Sequence, residues 1–398
     1  MANYALINPG KFHLGDPHDF PPRQNRRFDE RNYISEIKWK TSVMLNKRVY
    51  IGNVKLVQSD GTERALSDSM FKSKSNKYDS FTLDRRIDVA VADGEEIIRL
   101  ATFADRILQY KQNTLHIINA TKSQEFLEAS YKFKGVSHHN AVCEFDYGVA
   151  WCNQQGVYMY NGQQVIELTV KEGVRRFSQE AWEDFYEDGK TSIGYIPEQK
   201  QLLLVKGFES AHSSNILLYD MVTKSWTKGT GRLSVSNAGK NITNLINLWD
   251  NKLIYGYENA TDETTVVPWN VASTEAINNF KLQTKEYTFG TQAKKKIIKV
   301  RMTYKGASGS NTNITPKYSY DGSGFVHSFQ DENGVNITNI PGSADWTEID
   351  LYTQSNANGI RGFGLELADE DGATTTKKVA NDFEINDITI IFRTKSVK

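Results

Sequence analysis

Seven histidines and two cysteines are the natural candidates for metal or nucleophilic chemistry in this chain. A zinc ion or a proton relay needs side chains that converge, and only His138 and His139 stand close together. On an extended segment adjacent side chains point to opposite faces, so the pair suits neither role and a structural or surface position is expected. Cys143 and Cys152 lie on either side of the strand YGVAW and could pair, but one bridge is no disulfide framework. Acidic turns at Asp321-Gly322, Asp331 to Asn333 and Asp369 to Asp371 offer calcium-type oxygens without the ordered D-x-D-x-D-G spacing, so solvated turns are expected. No G-x-S-x-G, H-E-x-x-H, phosphate-binding glycine loop or C-x-x-C pair occurs. The expectation is no catalytic residue, no metal and no cofactor.

Charge narrows the partners. Forty-eight basic and 48 acidic side chains cancel, leaving no global field to draw the chain onto DNA or an anionic membrane. Lys294 to Lys296, and Arg23, Arg26, Arg27 and Arg31, could form a local positive path. The interleaved Asp29 and Glu30 favour solvated faces or subunit salt bridges instead. No apolar run approaches the roughly 18 residues of a membrane span, and MANYALINPGKF lacks a signal-like charged and apolar succession. A chain made and kept soluble is expected.

With no chemical cluster to organise, the informative pattern is the strands. KRVYIGN, DRILQYK, YGVAWCN, KQLLLVK and NKLIYGY each read as a polar turn followed by an apolar strand. Their third column is always branched: Val49, Ile107, Val149, Leu202 and Leu253, all expected to be buried between sheets. Four of them lead to a second strand (TLHIIN, GVYMYN, NILLYD, TVVPWN) that closes on Ile118-Asn119, Tyr160-Asn161, Tyr219-Asp220 and Trp269-Asn270. A unit of alternating strands recurring every roughly 40 to 60 residues cannot bury its faces alone and must stack on its neighbours, as propeller blades do. Asn161-Gly162 reads as a two-residue hairpin turn, and Asp250-Asn251 as another turn.

Three regions follow from this pattern, and the fold class is all-β. Residues 1–40 form an extended N-terminal arm, rich in proline and opposed charge. Its Phe12, Phe20, Phe28, Tyr33 and Trp39 would be wasted on solvent, so the arm is expected to pack on a neighbour or on its own body; the first four are the candidate subunit contacts. Residues 41–275 form the β-propeller-like repeat domain. It is interrupted by one helix in FSQEAWEDFYEDGK, where Ala181, Trp182, Phe185 and Tyr186 share a face, Ser178 caps and Gly189 stops. Residues 276–398 form a C-terminal β-sandwich, with turns at Ser308-Gly309, Asp321-Gly322 and Asp371-Gly372.

SYDGSG from Ser319 matches part of a sialidase Asp box, but no Thr-Trp follows Gly324, and no spacing identifies the two carboxylates a glycosidase needs. NILLYDMVTKSWTKG resembles a kelch-type blade through Tyr219, Asp220 and Trp226. A broader resemblance runs from KYDSFTLDRRIDVAVADGEEIIRLATFADRILQYKQNTLHIIN through FKGVSHHNAVCEFDYGVAWCNQQGVYMYNGQQ to FGTQAKKKIIKVRMTYKG and NDITIIFRTK. Over about 350 residues this order is similar to the tail nozzle or tail-tubular-B-like proteins of tailed-bacteriophage virions. The resemblance implies a non-enzymatic virion structural protein, assembled in the host cytoplasm into a ring, typically a homo-hexamer. Such a ring continues the DNA-ejection channel below the portal and adaptor, meets tail-fibre or tail-tip proteins, and lets phage DNA pass without sequence-specific binding. Nozzles often carry more blade material at the N-terminus, which leaves open whether this propeller closes alone or is completed by another segment or chain. A host-receptor or carbohydrate-binding propeller of the tail tip, and a propeller glycoside hydrolase, are the alternatives.

Overall fold

The computed structural model describes residues 34–395 apart from 59–60, 91–92, 123, 187–190, 207–215, 230–241, 259–263, 270–279, 370–378 and 380–382. Phe12, Phe20, Phe28 and Tyr33 of the expected arm lie outside these residues. The chain divides into two compact units, Met1–Asn270 and Val271–Lys398.

The first unit is a succession of antiparallel meanders. Strands β1 (Ile34–Leu45), β2 (Arg48–Gln58), β3 (Glu63–Lys74) and β4 (Lys77–Asp88) form one sheet in chain order, followed by β5 (Arg99–Phe103), β6 (Arg106–Tyr110), β7 (Thr114–Asn119) and β8 (Phe126–Lys132). A third sheet holds β9 (Val142–Phe145), β10 (Gly148–Asn153), β11 (Gly156–Tyr160) and β12 (Val165–Glu167). A ribbon of β13 (Val170–Lys171) and β14 (Val174–Arg175) and the helix α1 (Gln179–Phe185) come next. The fourth sheet is β15 (Ser192–Ile196), β16 (Gln201–Val205), β17 (Ile216–Asp220) and β18 (Ser225–Gly229), and the fifth is β19 (Ile242–Asn247), β20 (Leu253–Glu258) and β21 (Thr264–Pro268). First strands pack beside first strands in succession, β1 by β5, β5 by β9, β9 by β15 and β15 by β19. That is the blade arrangement of a propeller. Among the described residues no comparable packing joins β19 back to β1, so the array of described sheets is open.

The recurring strands of the sequence are the second and third of each sheet, and from the second to the fourth sheet they are mostly buried. Left-handed backbone at Asn46, Lys47, Ala104, Lys200 and Asn251 makes the hairpins that enter the second strands. Gly194 lies where β15 and β19 approach, since a Cβ there would sit 2.8 Å from that of Leu245. The third-column side chain faces the preceding sheet. Ile107 packs with Tyr50 and Met70 of the first sheet, Val149 and Leu202 enter the central core around Trp151, and Leu253 packs with Leu203 and Val205. These four are buried, whereas Val49 is only half-buried. The correction has a simple cause: Val49 belongs to the first sheet, and among the described residues no sheet precedes it.

The first sheet supplies its own cover instead. Its long strands shift register at several points and coil until Trp39 on β1 meets Phe81 on β4, with ring centroids 6.4 Å apart. Trp39 is therefore a core residue of a strand beginning at Ile34, which corrects the last part of the expected arm. Tyr50 donates its hydroxyl hydrogen to Glu125 at 2.8 Å, and Lys72 pairs with the same carboxylate, tying the first sheet to the second.

Two local expectations change. Asn161-Gly162 opens a four-residue connection to β12, in which Asn161 Oδ1 accepts the N–H groups of Gln163 and Gln164 at 3.0 and 2.9 Å. In the helix, Ser178 caps by accepting from Ala181 N–H at 3.1 Å, and Trp182, Phe185 and Tyr186 are buried, but Ala181 is exposed.

The second unit is a sandwich. One sheet runs β22 (Lys281–Gln283), β28 (Phe363–Asp369), β24 (Ile314–Tyr320) and β25 (His327–Ser328). The other centres on β23 (Lys295–Asn311), paired with β26 (Pro341–Tyr352), β27 (Asn358–Ile360) and β29 (Glu384–Thr394). Val300, Met302 and Leu351 from one sheet meet Tyr318, Leu365 and Leu367 from the other in a single core. Ser308-Gly309 is no turn: β23 runs through it with a register shift, and the chain reverses at left-handed Asn313.

Candidate interaction surface

The residues that could do chemistry are used to hold backbone. The extended backbone ends at His138: its Nδ1 accepts from Asn140 N–H at 3.1 Å and caps a short 3₁₀ turn, His139–Ala141. That turn brings the two rings to one side, 4.2 Å between centroids, which corrects the expectation of opposite faces. Partial desolvation, aided by His138, Arg99 and Lys40, lowers His139 although its surface remains exposed. Both cysteines are free thiols. Burial raises Cys143 to about 12 and lifts Cys152 far above the ordinary range, so neither offers a thiolate nucleophile.

Two of the acidic turns are similarly committed, and the third, Asp369 to Asp371, runs outside the described residues. Asp321 Oδ1 accepts the N–H groups of Arg361 and Gly362 at 2.8 and 2.7 Å, and Glu286 accepts from Ser319 Oγ and Gly322 N–H, so SYDGSG is a backbone clasp. Asp331 Oδ1 holds the N–H groups of Asn333 and Val335. Among the described residues no three His, Cys, Asp or Glu side chains gather as a metal site. Lys295, read as part of a surface path, is fully buried, and its ammonium donates to the carbonyls of Thr291, Ala293 and Arg361 at 2.6, 2.9 and 3.1 Å.

Where the first strands of the open array converge, a groove of about 300 Å³ is lined by Arg99, Cys143, Glu144, Ile193, Leu245 and Asn247, among others. Glu144 Oε2 accepts from the N–H and hydroxyl of Thr102 at 3.0 and 3.3 Å, and its other oxygen lies 3.8 Å from Arg99. The charged pair is mutually satisfied, so the groove is suited to contact and carries no poised acid or base.

The surface the sequence did not reveal is the far face of the fifth sheet. On β19–β21, Leu245, Leu253 and Tyr255 turn toward the fourth sheet and share its core. Register places Ile246 beside Ile254 and Ile254 beside Pro268, with Val266 opposite Gly256, all on the other face. Ile246 is 52 % exposed and Val266 61 %, and the hairpin tip beyond them carries Leu248 and a 95 % exposed Trp249. This is a sheet face patterned like a core on which, among the described residues, nothing stacks. No helix among the described residues is long and apolar enough to cross a membrane.

No family model matches the chain, and no curated protein matches it. Among solved structures it is similar to a chain of the mitotic checkpoint complex, at 12 % identity over 61 % of this chain and 82 % of that one, with a TM-score of 0.33. Hsv2 of Kluyvelomyces marxianus is similar at 9 % identity over 59 % of this chain and 73 % of that one, TM-score 0.33. The WD40 domain of SCAP from fission yeast is similar at 8 % identity over 85 % and 95 %, TM-score 0.30. Likeness at this level leaves the propeller-like assignment resting on the strand registers, which define an all-β chain of stacked meanders followed by a sandwich.

Proposed function

We propose that this chain is a non-enzymatic structural subunit that works by assembling into a ring, of the tail-nozzle or tail-tube kind in a tailed-bacteriophage virion. The observation that carries the reading is the open array. Among the described residues it ends at one side in a sheet coiled on itself and at the other in an apolar face that none of them covers. A stacked array needs its terminal faces capped, and a neighbouring copy supplies that cap. Cancelled charge suits a conduit, because each neutralised phosphate would add affinity and slow passing DNA. A carbohydrate-binding tail-tip protein would present an aromatic platform; this face is aliphatic, with a single tryptophan at its tip.

The test is the solution mass of the purified chain beside Val266→Lys. The reading predicts a discrete multimer for the parent and smaller species for the variant, with unchanged circular dichroism. A parent that stays monomeric as its concentration is raised contradicts it.

A further inference from the structure

Among the described residues the fifth sheet is one strand short. The first four sheets each hold four strands in chain order, whereas β19, β20 and β21 are three, and no described strand pairs with the outer edge of β21. Trp269 N–H donates to Leu253 O at 2.7 Å, and the register sets Val267 against Tyr255 and Thr265 against Tyr257, so the odd-numbered residues bond to β20. Thr264 and Val266 therefore turn their N–H and C=O groups outward, and Pro268 at the strand's end withholds one donor. Such an edge is a template for a further strand unless charge protects it. The outer strands of the first four sheets all carry Lys, Arg, Asp or Glu, but β21 reads TTVVP.

The first sheet is the converse. Three times a fourth strand leads on to the first strand of the next sheet: β4 to β5 with residues 89–98 between them, β8 to β9 with 133–141, and β18 to β19 with 230–241. By its place in the chain, the segment leading into β1 stands where the fourth strand of a preceding sheet belongs. Yet among the described residues no sheet of the same copy precedes the first, and Val49, on the face such a sheet would cover, is only half-buried. Residues 1–33 hold one uninterrupted apolar run, Tyr4 to Ile7, followed by the turn residues Asn8, Pro9 and Gly10. Residues 8–33 can span up to roughly 85 Å when extended, against a sheet-to-sheet spacing of about 10 Å.

We infer that the fifth sheet of one copy takes its fourth strand from the next copy, whose Tyr4 to Ile7 segment adds along the outer edge of β21 while its first sheet stacks on the face of Ile246, Ile254 and Val266. The junction repeats between copies the step that joins successive sheets within one. Donor segment and acceptor edge are different surfaces, so the contact is head-to-tail and generates a ring or an open filament. The inference rests on the assembly reading above and names the strand that makes the junction.

Two full-length variants test it after the solution mass of the parent has been read, since a parent that stays monomeric removes the assembly reading and this junction with it. Leu6→Cys/Val266→Cys, treated with a short bis-maleimide, should give a ladder of covalent dimers and larger species on denaturing electrophoresis, which neither single-cysteine variant gives. Ala5→Pro/Leu6→Pro removes the N–H of two successive residues, one of which must face β21 in any register. It should shift the solution mass to smaller species with unchanged circular dichroism. Cross-linking confined to one chain, beside a parent that assembles, overturns the exchange between copies. No cross-link at all, as when residues 271–279 supply the strand instead, overturns the donor segment, and so does a proline variant that assembles like the parent.

Discussion

Asp220 holds Thr223: its Oδ1 accepts the Thr223 N–H at 2.8 Å, with the Val222 N–H at 2.9 Å beside it, and ties off the end of β17. Asn119 does the same for Thr121 after β7, and Asn161 for Gln163 and Gln164 after β11. The Asn or Asp that closes these three repeats is therefore a side-chain turn that aims the chain into the fourth strand, while Asn270 lies outside the described residues. Removing the acceptor in Asp220→Ala should cost about 1 kcal/mol, while Asp220→Asn, which keeps an oxygen in place as at Asn119, should retain most of it. Urea midpoints of the two variants against the parent check the difference.

Leu202 and Val49 occupy the same column of the repeat in different surroundings. Leu202 is sealed between the third and fourth sheets, so Leu202→Ala should cost about 2 to 5 kcal/mol. Val49 packs only partly against the coiled first sheet, and Val49→Ala should cost about 1 kcal/mol or less. Equal losses at the two positions would contradict the open array.

This contrast also shows how far the sequence is legible. The second and third strands of the middle sheets could be read because they are buried on both faces and written in unbroken Leu, Ile, Val and aromatic residues, as in QLLLV and GVYMY. Fourth strands such as FLEASYK and SWTKG are largely exposed and carry no such signal. β1 was hidden because it follows the proline-rich segment and reads with it as an arm. The fifth sheet was misleading in the opposite way. Ile246, Ile254 and Val266 alternate as core residues do, and no local pattern states that no described sheet covers them.

Asp350 sets an acid limit on the second unit. The Arg301 guanidinium, bonded to both carboxylate oxygens at 2.8 and 2.9 Å, and then Lys299 at 2.6 Å, hold its carboxyl down to about 2, against an ordinary value of 3.8. A carboxyl depressed on folding contributes stability in full above its unfolded value and loses it as pH falls toward the folded one. Stability attributable to Asp350 should therefore be constant above pH 3.8 and decline from there to about 2. Asp350→Asn should flatten that limb of the acid unfolding curve without changing its slope at neutral pH.

The buried thiol should be silent until the chain unfolds. A maleimide or disulfide reagent at neutral pH should not label Cys152 in the native protein, where burial raises it far above the ordinary range, and should label Cys143, half-buried in the lining of the groove, only slowly. It should label both in denaturant. Rapid native labelling of Cys152 would contradict the packing of the third sheet, where it lies fully buried.

The claim that this chain acts by assembly around an axis is tested most directly by imaging the purified protein by negative-stain or cryo-electron microscopy. The account predicts rings of uniform copy number with an open centre, in which the outer face of β19–β21 is covered by the adjoining copy. Isolated single-chain particles with that face bare would contradict it.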